Sequence, residues 1–500
     1  MTHPIEADTD AATDTDADTD AASDAATATA SDAATAHAWT ALGGAAELLE
    51  EVSYLPAEGV LPARLPVREL ARATVAACSL AAAELTARRS GGPVPAVRVA
   101  EAAVATAFVS ERHLRIDGRR PTSFAPLSGF WRAADGWVRT HANYPHHRAR
   151  LLAALGIADR GEEDVLVKRL AEELAARPAH GIQETVYEAG GLAVAVARPA
   201  PPAPPVPFPE AAPGAVAETA TDARPVLIES RRSGGAAPRP LPPAPLPASG
   251  VRILDLTRVI AGPVATRTLA LLGADVLRVD SPHLPEDPDA HADTGFGKRS
   301  TRLDLGDPRD RRTFEELLSQ ADAVVTGYRP GALDRFGLAP DALLERRPGL
   351  VVAQVSAWGW SGRWAGRRGF DSLVQAASGI AALEAAPDGH PGVLPAQALD
   401  HGTGYLLAAA VLRALTERQE TGDGRHLRLS LAATAAWLMR GITPVAPHTG
   451  ETYDPTPWLT ERPAPYGRLR YALPPLGYAG SPRDWSNPPG LWGTDRPAWG

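Results

Sequence analysis

The 500-residue sequence predicts an α/β protein, with an open, mostly parallel sheet in a large domain and a smaller α+β domain beside it. Two observations carry that expectation. Apolar strand-like runs alternate with helical stretches through residues 251–440, a pattern that implies a parallel sheet covered on both faces. Ahead of it, residues 40–198 combine helical periods with an alternating hairpin pattern around 130–138.

Charge and composition narrow the function classes. Residues 1–40 hold nine acidic side chains and no Lys or Arg, so the formal charge of −9 belongs to that segment, and the other 460 residues balance 50 acids against 50 bases. No basic surface for nucleic acid follows from that balance. Cys78 is the only cysteine, which excludes intramolecular disulfides and Cys-rich metal sites and fits a reducing cytoplasm. An acidic N-terminus without an apolar stretch is not a signal peptide, and no apolar run approaches the ~18 residues of a membrane span. A cytoplasmic protein is expected.

Taken in order, residues 1–39 are an Ala/Thr/Asp tail too polar to order itself. A helix is predicted over 67–87, ended by Gly91-Gly92-Pro93, with a strand over 96–99. Helices over 146–155 and 164–176 follow the hairpin, and a short element over 186–196 closes this part. The Pro/Ala-rich stretch 199–250 reads as an extended linker. Strands are then expected over 251–257, 274–280, 321–328 and 350–356. Helices are expected from Ala261-Gly262-Pro263 to 272, after Asp307-Pro308 over 313–320, and over 331–335. Leu406, Leu407, Ala410, Val411, Ala414 and Leu415 recur at helical spacing up to Thr421-Gly422-Asp423-Gly424, and Leu427, Leu429 and Leu431 alternate as a strand. Residues 441–500 read as an irregular Pro/Trp-rich tail wrapping a folded surface.

One internal repeat stands out. At an offset of 331 residues, 74–93 lies over 405–424, and both copies run from an Ala/Leu-rich helix through a glycine turn into a strand. The same register sets Glu69 opposite Asp400. A duplication with a decayed first copy would produce this pattern.

Several residues could carry chemistry. Asp400 opens the second of these helices, where free N–H groups and the helix dipole favour negative charge; it is an N-cap or a reactive carboxylate. Gly402 and Gly404 leave room for a ligand near the backbone, and their amides could stabilise an oxyanion. The turn at Ala261 could cradle phosphate. Lys298 and Arg299 form either a phosphate clamp or a surface charge pair. Tyr328, Arg329 and Arg335 follow a predicted strand, where open α/β sheets bind ligands. His146, His147 and His401 have no acidic or Cys cluster at ligand spacing, so no metal site is expected. No G-x-S-x-G supports serine-hydrolase chemistry.

Together LDLTRVIAGPVATRTLALLGADVLRVD (254–280), GKRSTRLDL (297–305), ADAVVTGYRPGALDRFGL (321–338), RRGFDSLVQAASG (367–379), ALDHGTGYLLAAAVLRAL (398–415) and TGDGRHLRLSL (421–431) resemble the family III, or CaiB/BaiF-type, CoA-transferases, in their order and spacing. The resemblance implies a Rossmann-like large domain, Asp400 as a nucleophile forming aspartyl anhydride and aspartyl-CoA intermediates, and CoA contacts at Ile260, Ala261, Lys298, Arg299, Leu303, Asp304, Tyr328, Arg329, Arg335 and Arg368. It also implies acyl-CoA and a carboxylic acid as substrates, no tightly bound cofactor, and an interlocked homodimer. Residues 124–198 resemble the family's small domain, yet here they precede the first strand of 251–440, so the order is permuted, with 40–198 a partial half. Three departures follow from the comparison: Ile260 stands where some members use glutamine, only Ser128-Gly129 remains of a Gly-rich loop, and Phe370 replaces the histidine of the related α-methylacyl-CoA racemases. A racemase-like enzyme and a CoA-binding subunit without chemistry are the alternatives.

Overall fold

The protein was described from a computed structural model, which covers residues 29–30, 32–121, 124–198, 225–445 and 451–500. Most of the predicted acidic tail and the first half of the linker lie outside these residues.

A seven-stranded sheet forms the centre. Its strands are β1 (Glu229–Arg232), β2 (Arg252–Leu256), β3 (Asp275–Asp280), β4 (Arg299–Arg302), β5 (Ala323–Thr326), β6 (Val351–Ser356) and β7 (Arg425–Ser430). They lie in the order β4-β3-β2-β5-β6-β7-β1, all parallel except β1, which pairs antiparallel with β7. The inner strands are apolar because both faces are covered: Ile253, Val324, Val325, Val351 and Val352 are buried. Chain order reverses between β2 and β5, so a crevice opens at their carboxyl ends.

Two long helices pack against each other above this sheet, α1 (Val67–Ser90) and α4 (Ala398–Thr421), both 24 residues long and offset by the 331 residues of the repeat. Their ends match in detail. The preceding residues have φ/ψ of −74/60° at Pro66 and −73/62° at Gln397, and both helices stop at a left-handed glycine, Gly91 or Gly422. α1 is long and apolar enough by composition to cross a membrane, but its residues are buried in this core. The shorter α2 (Ala261–Leu271) packs on the N-terminal half of α4, where a Cβ on Gly404 would stand 2.6 Å from the Ala261 carbonyl oxygen. Gly404 therefore serves close helix packing, not the approach of a ligand.

The smaller unit has an antiparallel sheet of Phe130–Ala133, Gly136–Thr140 and Ala193–Ala195, covered by helices Pro145–Ala154, Glu163–Ala175 and Ala179–Glu188. Leu127, Val138, Leu151, Leu166, Leu170, Ile182 and Val186 fill its core. A separate apolar seam of Leu192, Val194, Leu373, Ala376 and Ala381 seats it on α3 (Asp371–Ser378).

Four expectations change. Helix Ala33–Ala41 begins inside the predicted tail, capped by the Asp32 carboxylate and anchored by buried Trp39. The second half of the linker is structural: β1 extends the main sheet, and Arg89 donates to the carbonyl oxygens of Pro242, Pro247 and Ser249. The helix expected over 331–335 is one 3₁₀ turn, Asp334–Phe336. The C-terminal stretch contains a hairpin, Leu459–Ala464 with Gly467–Ala472. Trp485, Trp492 and Trp499 then donate their indole N–H groups to Arg267 O, Asp280 Oδ2 and Leu317 O. Apolar rings with one polar handle bind an irregular strap where backbone periodicity is absent.

Candidate active site

Asp400 is the third residue of α4, not its cap; Gln397 precedes the helix, and no side chain caps it. The Asp400 backbone N–H donates to Asp371 Oδ2 at 2.9 Å, so a buried carboxylate from α3 satisfies a free amide of the first turn. Asp371 is steadied by Gln375, whose side-chain amide donates to Oδ1 and accepts from Leu394 N at 2.9 Å. Asp400 is only 6% exposed. Burial pushes its carboxyl well above the usual carboxylate range, the charges of Asp371 and Glu111 push in the same direction, and the Ala261 N–H pulls back as a hydrogen-bond donor. Burial raises Asp371 as well, against the Asp400 amide and Gln375.

The Ala261 amide is aimed by an unusual turn. Val259 has φ +73°, a conformation that a β-branched residue rarely adopts, and a Cβ on Gly262 would stand 2.3 Å from Thr257 Cβ. The strained turn delivers the start of α2 to the Asp400 carboxyl. Ile260 immediately precedes α2 and is half-buried. Gly402 and Gly404 lie further inside α4, where backbone amides bond along the helix, so the expected donors at these glycines give way to Ala261.

The predicted CoA residues divide into two groups. Arg329 and Arg368 line one cleft of about 310 Å³ with Tyr187, Gly190, Leu192 and Arg367, at the junction of the two units. No carboxylate pairs with Arg329 or Arg368 among the described residues, and burial, Arg329 and Arg150 together lower the Arg368 guanidinium. Tyr328 packs instead against the apolar core that contains Leu254, Leu256 and Val279, its phenol pushed up to about 12 chiefly by burial. Arg335 is exposed, its guanidinium 4.6 Å from the Phe336 ring centre. Asp304 accepts from His283 at 3.0 Å and from Gly306 N at 2.8 Å, both of which hold its carboxyl low, and Leu303 is buried in the core beneath it.

Lys298 and Arg299 are corrections. Lys298 Nζ donates to Asp255 Oδ2 and Thr266 Oγ1, both at 3.0 Å, deep under α2; burial lowers it to about 8 despite Asp255. It neutralises an internal carboxylate and cannot reach a phosphate. Arg299 bonds Asp275 at 2.6 Å and a carbonyl of the C-terminal strap. Ser128, the loop remnant, donates to Asn143 Oδ1 at 2.7 Å and accepts from Ala142 N at 2.7 Å inside the small unit.

Sequence reasoning missed four participants. Asp371 belongs to a quoted motif, yet its spacing from Asp400 gives no sign of the bond. Glu111, from the short helix Ser110–His113, stands 3.7 Å from His401 Nε2. His141 lies flat on Phe370, ring centres 3.8 Å apart and planes within 2°. Tyr144 donates to Glu286 Oε1 at 3.2 Å beneath the Arg258 guanidinium. None is predictable locally, because each meets the site only through tertiary packing.

The first copy of the repeat keeps the geometry and loses the opening. Glu69 is also the third residue of its helix and buried, but it accepts from Val445 N at 3.1 Å and from Arg68 at 2.8 Å. One turn on, Arg72 bonds Glu101 at 2.6 Å and also Asp32. Ion pairs and backbone fill the space that Asp400 leaves to Asp371 and Ala261.

Residues 248–469 match the model of CoA-transferase family III. The chain is 34% identical over 243 residues to the acetyl-coenzyme A transferase nodX of Hypoxylon pulicicidum, covering 46% of this chain and 40% of that protein. With the probable fatty acyl-CoA transferase Rv3272 of Mycobacterium tuberculosis it shares 31% over 251 residues, 48% of this chain and 62% of that one. A crystal structure of Rv3272 in an orthorhombic form aligns with a TM-score of 0.38 and 33% identity, over 39% of this chain and 56% of that chain. The chain spans between 40% and 62% of the length of these two curated relatives.

Proposed function

We propose that this chain moves CoA from an acyl-CoA to a carboxylic acid, with Asp400 as the covalent carrier. The observation that supports it most is a buried carboxyl, raised in basicity, whose one opposing donor is the Ala261 amide at a strained turn. The two curated relatives above are named as CoA-type transferases, which supports the same reaction class.

In this reading the ionised Asp400 oxygen attacks the thioester carbonyl, the C–S bond breaks, and CoA leaves as thiolate from a mixed anhydride. The thiolate attacks the aspartyl carbonyl and releases the first acid as its carboxylate, leaving aspartyl-CoA. The acceptor carboxylate attacks that thioester, CoA leaves again, and its return to the acyl carbonyl of the new anhydride frees Asp400. The Ala261 amide is suited to stabilise charge on the aspartyl carbonyl oxygen during each exchange. Water must be kept out, since either intermediate would hydrolyse, and the seam of apolar residues closing the small unit on α3 serves that purpose. Arg329 and Arg368 are the residues suited to CoA phosphates.

The resemblance implies a homodimer. Because α1 and α4 already form a related pair within one polypeptide, we propose that one chain completes the site without a second copy. Incubation with an acyl-CoA, followed by hydroxylamine or borohydride trapping and peptide mass mapping, tests the mechanism. Modification of Asp400 and loss of transfer in Asp400→Asn are expected; label on another carboxylate, or undiminished exchange in that variant, defeats it. Exchange of the substrate α-proton for deuterium without transfer would support a racemase instead.

A further inference from the structure

Two buried imidazoles beside the site have unused hydrogen-bonding atoms. His147 is 3% exposed and His141 4%, yet both ring nitrogens of His147 and Nδ1 of His141 find no hydrogen-bond partner among the described residues. Buried polar atoms are seldom left so without a reason. The two rings stand 6.1 Å apart, and both face Phe370, at 3.8 Å from His141 and 5.8 Å from His147. Phe370 immediately precedes Asp371, which holds the Asp400 amide.

The segment 366–371 thus runs from the cleft wall, where Gly366, Arg367 and Arg368 lie, past the imidazoles to the carboxylates. His147 also sits in the first turn of helix Pro145–Ala154, a ten-residue helix with no side-chain cap on its N-terminus. Pro145 carries no N–H, and the His147 and Arg148 amides donate to the Tyr144 carbonyl oxygen at 2.9 and 3.0 Å, so recognition of an anion falls to the imidazoles and not to the helix end. Burial brings His141 and His147 down to about 3, so at neutral pH each ring is uncharged, with one N–H to donate.

We propose that His141 and His147 bind the carboxylate of the substrate acid, holding it by hydrogen bonds as it approaches Asp400. The proposal rests on the CoA-transfer reading above and deepens it: neutral donors on the small unit recognise the acid, while the arginines of the cleft recognise the CoA ester. Both are positioning residues, since neither is bonded to the reacting carbonyl.

Steady-state kinetics with acyl-CoA and acid varied separately decide the matter, using the full chain. In His147→Phe and His141→Phe the KM for the acid is expected to rise at least tenfold, with the KM for acyl-CoA within threefold of wild type. His147→Gln, which keeps a donor, should recover much of the loss. Trapping of Asp400 by acyl-CoA alone should persist in all three. An acid KM unchanged in the folded variants, or both KM values rising together, overturns the proposal. Should His147→Phe fail to fold, as judged by circular dichroism and Tm, His147→Leu and His141→Leu, which also remove the donor, give the same readout. If Asp400→Asn still transfers CoA, the reaction assignment itself fails; if Asp400 is labelled and the acid KM does not move, only this inference does.

Discussion

In the transfer proposed above, Asp400 combines two properties that oppose one another, a charge needed for attack and a burial that disfavours it. A carboxyl whose pKa is raised in the folded state costs stability at any pH where it must ionise, because the unfolded chain ionises it freely. Asp400→Asn mimics the protonated form, so this variant should melt roughly 1–3 °C higher while losing transfer; an unchanged or lower Tm by calorimetry would contradict the account. Glu111 contributes part of the upward shift through its negative charge, alongside burial and Asp371, with His401, Arg112 and His113 around it. Removing that charge in Glu111→Gln lowers the Asp400 pKa, so the acid limb of the kcat/KM profile should move to lower pH. A limb that stays in place would show that Glu111 does not act on Asp400.

At the scale of elements, the turns and ion pairs under α2 decide which cations face substrate. Lys298 and Asp255 are both buried, and removing one partner of such a pair leaves an uncompensated charge, a loss of about 3–5 kcal/mol. Lys298→Met should therefore lower the urea midpoint sharply and leave CoA affinity of the folded protein near wild type. Arg329→Ala should do the reverse, weakening CoA binding in a titration with little change in stability. Much of this level was legible beforehand: β2, β3, β5 and β6 lie within the predicted strands, and α1 and α4 declare themselves by long apolar periods. What stayed hidden was direction. Lys298 follows an ordinary Gly-Lys-Arg-Ser string, and only the fold shows that its ammonium turns inward to Asp255. The acidic side chain at 371 and the imidazoles at 141 and 147 belong to separate segments whose meeting no local pattern encodes. Residues 485–500 read as irregular because their order comes from three indole anchors, not from backbone periodicity.

At the scale of the whole molecule, two long helices with matching ends pack together within one polypeptide. α1 and α4 match in length, entry and exit, yet only α4 presents a carboxyl to an amide at a strained turn. If the site is complete in one chain, specific activity should stay constant as the protein is diluted from micromolar to nanomolar, and light scattering should find the active species at one chain. A fall in specific activity that tracks dissociation of a dimer would refute this.

Fusing the pair also changes how such a protein can evolve. In an assembly of identical copies every substitution is made twice and must suit both environments at once. If one chain completes the site, a change in the α1 half is made once and leaves the half that carries Asp400 as it was.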